Sequence, residues 1–248
     1  MKIAVAGKGG VGKTTVTALL ARAAVCAGHR VVAVDADPNP TLAATLGYPH
    51  FIPPLLENAE LLEERVGKGG LIALNPLVSD LLGRFGVEYE GIVLLVVGGV
   101  RGGGQGCACP ASSLLRALLR HLVLNVKETV LVDLEAGVEH LGRATAQGVD
   151  ALLVVTDPDY RSVDTVRRIH ALAQEIGIPK VFAVGNKVET QEERDFLREN
   201  LPTEVALLGV IPFSLAIKEG ARRRALPKED FPEAGEILRK LHQLVLPR

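Results

Sequence analysis

Cysteine is scarce in this chain: three residues in 248, two of them one residue apart. That number cannot build a disulfide framework, and it points to a reducing cytoplasm. A surplus of charge is missing too. Lysine plus arginine number 28 and aspartate plus glutamate 29, so the formal net charge of −1 gives no general pull toward nucleic acid or an anionic membrane. Long apolar runs are absent; a stretch such as Ile92 to Val97 is far too short to cross a bilayer. There is no internal repeat, low-complexity segment or credible linker, and Met1-Lys2-Ile3 opens into an apolar run that leaves no room for a cleavable signal. What is present is 48% hydrophobic and 23% charged residues, in a length that buries one sizeable core. Residues 1–248 read as one soluble domain.

The informative segment is Gly7-Lys8-Gly9-Gly10-Val11-Gly12-Lys13-Thr14, which fits the pattern G-x-x-x-x-G-K-[ST]. The apolar run Lys2 to Ala6 before it reads as a buried strand. Thr15 to Ala27 after it carries Val16, Leu19, Leu20, Ala23 and Ala24 at helical spacing. In that setting Gly9, Gly10, Val11 and Gly12 present backbone N–H groups to phosphate oxygens, and the following helix adds positive charge at its N-terminus. Lys13 neutralises the β- and γ-phosphates, the Thr14 hydroxyl holds Mg²⁺, and Thr15 completes the loop. The spacing therefore predicts a bound nucleotide.

Short apolar runs alternate with helical patterns along the rest of the chain. Strands are expected at Arg30–Val34, Ile92–Val97, Thr129–Val132, Ala151–Val155, Val181–Val184 and Val205–Val210, and helices at Ser112–Leu124, Ser162–Ile176 and Gln191–Asn200. Residues 53–90 are less regular and suggest short helices broken by Gly67, Gly69-Gly70 and Pro76. The alternation implies an α/β fold, a single P-loop NTPase domain with a largely parallel central sheet and helices on both faces. Ligands in such folds sit at the carboxyl ends of the strands, where the remaining motifs fall.

The second lysine of the loop, Lys8, resembles the signature of the deviant Walker A ATPases, the family that includes MinD, ParA, ArsA and the nitrogenase iron protein. The resemblance implies a homodimer closed around ATP, with Lys8 reaching the partner's nucleotide, and ATP hydrolysis as the activity. It assigns Asp37, in Asp35-Ala36-Asp37-Pro38, to the first switch, where a carboxylate orients water and touches Mg²⁺ through water; a turn role competes for Asp35. Asp133 ends an apolar run, as a Walker B carboxylate does, and Gly137 is the corresponding second-switch glycine. Glu135 and Glu139 read equally well as a solvated turn. Asn186-Lys187 resembles the base-reading pair of P-loop proteins, and Pro212-Phe213 stands where such proteins enclose the base, although an apolar core turn accounts for it nearly as well. With Glu189 where a guanine reader has aspartate, the residues leave ATP against GTP open; the family resemblance favours ATP.

Gly106-Cys107-Ala108-Cys109-Pro110 follows a glycine-rich loop. Two thiols so close can bind one soft metal ion together, and two chains supply four thiolates, suited to Ni²⁺ or Zn²⁺. Cys26, on the apolar first helix, reads as packing. The block around Cys107 and Cys109, with Asp133-Leu134-Glu135-Ala136-Gly137-Val138-Glu139-His140, is similar to the CooC proteins, ATPases that help insert nickel into carbon monoxide dehydrogenase. That resemblance implies Ni²⁺ held between paired Cys107 and Cys109 residues, a nickel-enzyme client, and delivery coupled to ATP.

Two rivals are weaker. A nitrogenase-type iron protein takes a cluster cysteine from just after its Walker B aspartate, and Leu134 to Gly148 contains none. A MinD- or ParA-like switch without metal cargo leaves the cysteines unexplained. The apolar stripe of Pro232–Leu246 reads better as packing than as a membrane helix, and Arg222-Arg223-Arg224 as a solvated face or salt-bridged cluster. No nucleic acid or membrane partner is expected, and His121 and His140 are left out of the metal site.

Overall fold

The computed structural model describes residues 1–66, 77–98, 114, 117, 118, 121, 128–135, 149–227 and 231–245. One eight-stranded sheet organises them. Its strands are β1 (Lys2–Gly7), β2 (Arg30–Ala36), β3 (Val87–Tyr89), β4 (Ile92–Val96), β5 (Glu128–Leu134), β6 (Ala151–Thr156), β7 (Val181–Val188) and β8 (Ala206–Pro212). In space they run β3-β4-β2-β5-β1-β6-β7-β8. Every pairing is parallel except the one at the β3 edge.

Burial on both faces explains the unbroken apolar runs of the central strands, since a parallel sheet is covered by helices above and below. Successive side chains point to opposite faces. Ile3, Val5, Val31, Ala33, Leu131 and Leu153 join the core under α1 (Lys13–Cys26) and α8 (Pro232–Val245). Ala4, Ala6, Val32, Val34, Val132 and Val154 join the opposite core with α5 (Tyr160–Ile176). The remaining described helices are α2 (Leu42–Leu46), α3 (Ala59–Val66), α4 (Leu81–Phe85), α6 (Gln191–Asn200) and α7 (Leu215–Arg222), with a 3₁₀ turn at Leu55–Glu57. Among the described residues, no helix is long and apolar enough to cross a membrane.

The expected α/β architecture is what the chain adopts, with one strand more than the periodicity suggested. β3 is three residues long and pairs antiparallel with β4 across Glu90-Gly91, both with left-handed backbone (φ 48° and 78°). That two-residue turn matches the twist of a hairpin, and the strand is too short to show a period of its own. In the Ser112–Leu124 pattern the described positions are helical, with Leu114, Ala117 and Leu118 buried and His121 exposed. The C-terminal stripe is core: Ile237, Leu238, Leu241 and Val245 of α8 are buried, while Leu244 faces solvent.

Candidate functional site

Strand β1 runs into the loop 8–12 and straight on into α1. Gly7 has φ 147° and pairs with Val155 on β6; a Cβ there would overlap the Val155 carbonyl oxygen. Gly10 and Gly12 have φ 81° and 92°, the left-handed region that glycine enters without strain. A Cβ on Gly12 would overlap Nδ2 of Asn186. Gly9 and Gly10 are exposed and Val11 is buried. Helix α1 begins without a side-chain cap and without an acidic residue in its first turn. Its neighbours differ, because Asp159, Thr190 and Ser214 cap α5, α6 and α7. The loop and first turn at Thr14 and Thr15 therefore keep an unneutralised positive end, as an anion site requires.

Lys13 stands beneath this loop, 8% exposed. Burial lowers its pKa, and the carboxylates of Asp133, Asp37 and Glu135 act in the opposite direction. Asp133 is paired in register with both Val5 on β1 and Asp35 on β2, so two carboxylates share a rung at the carboxyl ends of neighbouring strands. Both belong to the face covered by α1. Asp133 accepts from Thr17 Oγ1 at 3.5 Å and from Thr14. Burial pushes its pKa up to about 7, against the lowering by Thr14 and with a further rise from Asp35. The Lys13 ammonium acts to lower it and Asp37 to raise it. A hydroxyl and carboxylates around a lysine, all oxygen donors apart from that amine, suit Mg²⁺, which binds through few protein ligands together with phosphate oxygens. Among the described residues there is no group of three or more His, Cys, Asp or Glu arranged as a self-sufficient metal cage.

Asp35 and Asp37, two residues apart, do different things. Asp35 is 1% exposed, and its carboxylate accepts from the N–H groups of Asp37 (3.2 Å) and Leu42 (2.8 Å). Burial pushes its pKa up to about 6, opposed by those hydrogen bonds. It fixes the turn that leads into α2. Asp37 is half-buried and accepts from the Asn39 N–H at 2.8 Å, with its charge felt at Lys13 and Asp133.

On the other side of the loop, Asn186 and Lys187 lie within β7, which runs four residues beyond the expected end. A bulge between Asn186 and Val188 puts Lys187 in the left-handed region (φ 57°) and turns it outward. Asn186 is buried, and Nδ2 donates to the Val11 carbonyl at 2.7 Å; Lys187 Nζ donates to the Gly10 carbonyl at 2.7 Å. Both side chains thus brace the loop 8–12. Lys187 also lies 3.4 Å from Asp157, and Lys8 lies 3.7 Å from Asp159, at the start of α5. Pro212 ends β8, and Phe213 is exposed with the Lys218 ammonium 5.9 Å from its ring centroid.

Asp157, Asp159 and Thr17 were not singled out from the sequence. Only the strand-end position of Asp157, after β6, hinted at them. Cys107, Cys109, Gly137, Glu139 and His140 lie outside the described residues. Cys26 is a correction: it is a free, exposed thiol at the last turn of α1, where the helix face has rotated away from the core.

The model of the CobQ/CobB/MinD/ParA nucleotide binding domain matches residues 2–227. The chain belongs to this family. Curated relatives of this CobQ/CobB/MinD/ParA domain agree over most of their length. The chain is 43% identical to an uncharacterized ATP-binding protein of Methanocaldococcus jannaschii over 86% of itself and 85% of that protein. It is 42% identical to the carbon monoxide dehydrogenase accessory protein CooC of Rhodospirillum rubrum, over 88% of itself and 86% of that protein. The fold matches MinD of the Aquifex aeolicus MinC:MinD cell division complex with a TM-score of 0.71 at 20% identity, covering 99% and 97% of the two chains. The CobQ/CobB/MinD/ParA membership makes the loop 7–15 part of an ATP-binding domain.

Proposed function

We propose that this chain is an ATPase that works as a homodimer to carry nickel into a nickel enzyme such as carbon monoxide dehydrogenase. The observation that carries this reading is the 42% identity to the Rhodospirillum rubrum accessory protein along nearly the whole of both chains. Two features of this chain support it: Cys107 and Cys109 one residue apart, and Lys8 in the phosphate loop.

In this reading residues 1–248 are one ATPase domain. Gly9 to Thr15 hold the polyphosphate, and Lys13 stands against its β- and γ-phosphates. Thr14 would hold Mg²⁺, with Asp133 and Asp37 acting on it through water, and the ion would add positive charge to the phosphates when bound. Asp37 orients a water in line with the γ-phosphorus; its oxygen bonds to phosphorus as the bond to the ADP oxygen breaks. Gly137 senses the γ-phosphate, Asn186 and Lys187 brace the loop near the base, and Pro212 and Phe213 border the base. Lys8 reaches the nucleotide of the partner chain. Cys107 and Cys109 of both chains bind the nickel cargo as thiolates, a set that also accepts Zn²⁺.

The test is equilibrium dialysis of Ni²⁺ under reducing conditions, with the native chain and a Cys107→Ser/Cys109→Ser variant. About one nickel per two chains, lost in the variant, is the expected result. Nickel binding that ignores both substitutions, or none at all, would leave an ATP-driven dimerisation switch of the MinD/ParA kind.

A further inference from the structure

A cleft of about 730 Å³ opens on the α1 face and reaches Thr15, at the end of the glycine loop. That volume lies within the range of ordinary ligand sites. One wall is α2 and the segment after it; the other is the turn that ends α7, with Thr15 and Asp35 at the inner end. The frame is stitched by hydrogen bonds. Leu226 N–H donates to the Thr45 carbonyl at 2.8 Å, and the Arg22 guanidinium donates to the carbonyls of Leu46 (3.0 Å) and Pro227 (2.7 Å). Tyr89 donates to the Gly47 carbonyl at 3.0 Å and stacks edge-on against Tyr48.

The two rims are chemically unlike. Arg223 and Arg224 are exposed on one, and neither guanidinium has a hydrogen bond or ion pair among the described residues. Arg224 is held with φ 55°, the left-handed region that strains a residue bearing a side chain. The opposite rim carries His50 and Phe51, and Phe51 is 77% exposed. Among the described residues, Asp35 is the one acidic residue lining the cleft, and its oxygens already serve Asp37 and Leu42. Among the described residues, the cleft therefore offers two cations without a partner and an unburied aromatic ring, with no anion left over to satisfy them from within.

A small anion held by the arginines leaves Phe51 in water. An extended segment with a carboxylate at one end and an apolar side chain a few residues away spans both rims. The wall such a segment touches, Pro40 to Thr45, begins three residues after Asp37. An occupant is thereby placed to read the state of that turn. We propose that this cleft docks an acidic, apolar-anchored segment of the protein client; the inference rests on the client reading given under Proposed function.

The experiment is biolayer interferometry of the full chain, loaded with a non-hydrolysable ATP analogue, on immobilised nickel-free carbon monoxide dehydrogenase. Binding is expected to weaken at least about tenfold in Arg223→Glu/Arg224→Glu, and severalfold in Phe51→Ser. Arg224→Gly removes the charge while relieving the backbone, so its weakened binding cannot be ascribed to misfolding. Arg222→Glu, outside the cleft, is the control and retains binding, as does nucleotide affinity in every variant. Client binding that is indifferent to the three cleft variants, or equally lost in Arg222→Glu, overturns the docking cleft while the client reading stands. Release of the client by inorganic pyrophosphate at constant ionic strength would make this a small-anion site and overturn the segment. A native chain that binds no client overturns the client reading, and the docking inference falls with it.

Discussion

Lys8 Nζ lies 3.7 Å from Asp159 Oδ2 of the same chain, while Oδ1 of that carboxylate caps α5 through the Ser162 N–H at 2.9 Å. Both side chains are more than a third exposed, so the pair is weak in energy. Its importance is competitive: a lysine that reaches a second nucleotide must first leave Asp159.

Asp159→Asn keeps an acceptor for the cap and removes the charge. We expect a larger ATP-dependent dimer fraction at a given protein concentration, about two- to fivefold tighter on the scale of an exposed ion pair. Sedimentation velocity with a non-hydrolysable ATP analogue measures it. Lys8→Ala should lower both dimer fraction and ATP turnover; normal turnover in Lys8→Ala would sink the shared-nucleotide dimer.

The two aspartates of the first turn should separate cleanly. Asp35→Ala strips the acceptor from two N–H groups in a buried place and should cost about 2–3 kcal/mol in urea unfolding. Asp35→Asn should cost less, because burial already pushes that carboxyl up to about 6. Asp37→Asn should stay within about 0.5 kcal/mol of the native chain, as surface substitutions do, and instead depress kcat for ATP. Equal unfolding losses at the two positions would contradict this division.

Gly12→Ala meets two obstacles, its φ of 92° and Nδ2 of Asn186. Nucleotide affinity should drop more than about tenfold, a loss of about 1.4 kcal/mol or more. Adding Asn186→Ala removes the overlap but leaves the Val11 carbonyl unserved. The double variant should therefore lose less than the sum of the single losses, read by isothermal titration calorimetry as a coupling between the two residues. Strict additivity would mean that the backbone angle alone decides.

His242 supplies a pH dependence. Its ring lies 4.4 Å from that of His29, and the buried Thr129 hydroxyl lies between them, 3.1 Å from His29 Nδ1 and 3.4 Å from His242 Nε2. Burial, then the His29 ring and the N-terminal amine, lower the His242 pKa from 6.5. The folded chain thus binds fewer protons here than the unfolded one. Stability from this group is present above about pH 6.5 and is lost as the pH falls below it. The Tm of the native chain should fall more between about pH 7.5 and pH 5.5 than that of His242→Gln. Parallel curves would remove His242 from the account.

How much was legible beforehand follows from what each signal needs. The glycine loop is local, and its strand and helix flank it in sequence, so Gly7 to Thr15 could be found from one stretch of chain. The run before Asp133 told of a buried strand because parallel strands are apolar on both faces. What the sequence concealed depends on long-range pairing. The rung shared by Asp35 and Asp133 joins positions 98 residues apart, by subtraction of their numbers. The brace from Asn186 to Val11 spans 175. A three-residue edge strand and an aspartate that caps one helix while facing Lys8 have no periodic signature either. Cys26 was misplaced because the apolar character of α1 does not say which of its faces the last turn presents.

Gly7 carries a consequence for how such loops are read. Its bare Cα lets β1 lie against the carbonyl of Val155, so the first glycine of the motif answers to the neighbouring strand, while Gly12 answers to Asn186. One short string thus encodes two unrelated tolerances. A relative whose sixth strand sat slightly farther off could exchange the first letter and keep its phosphate cradle, whereas the second would stay fixed as long as the asparagine did. Pattern matching gives the two letters equal weight; the geometry grants them separate histories.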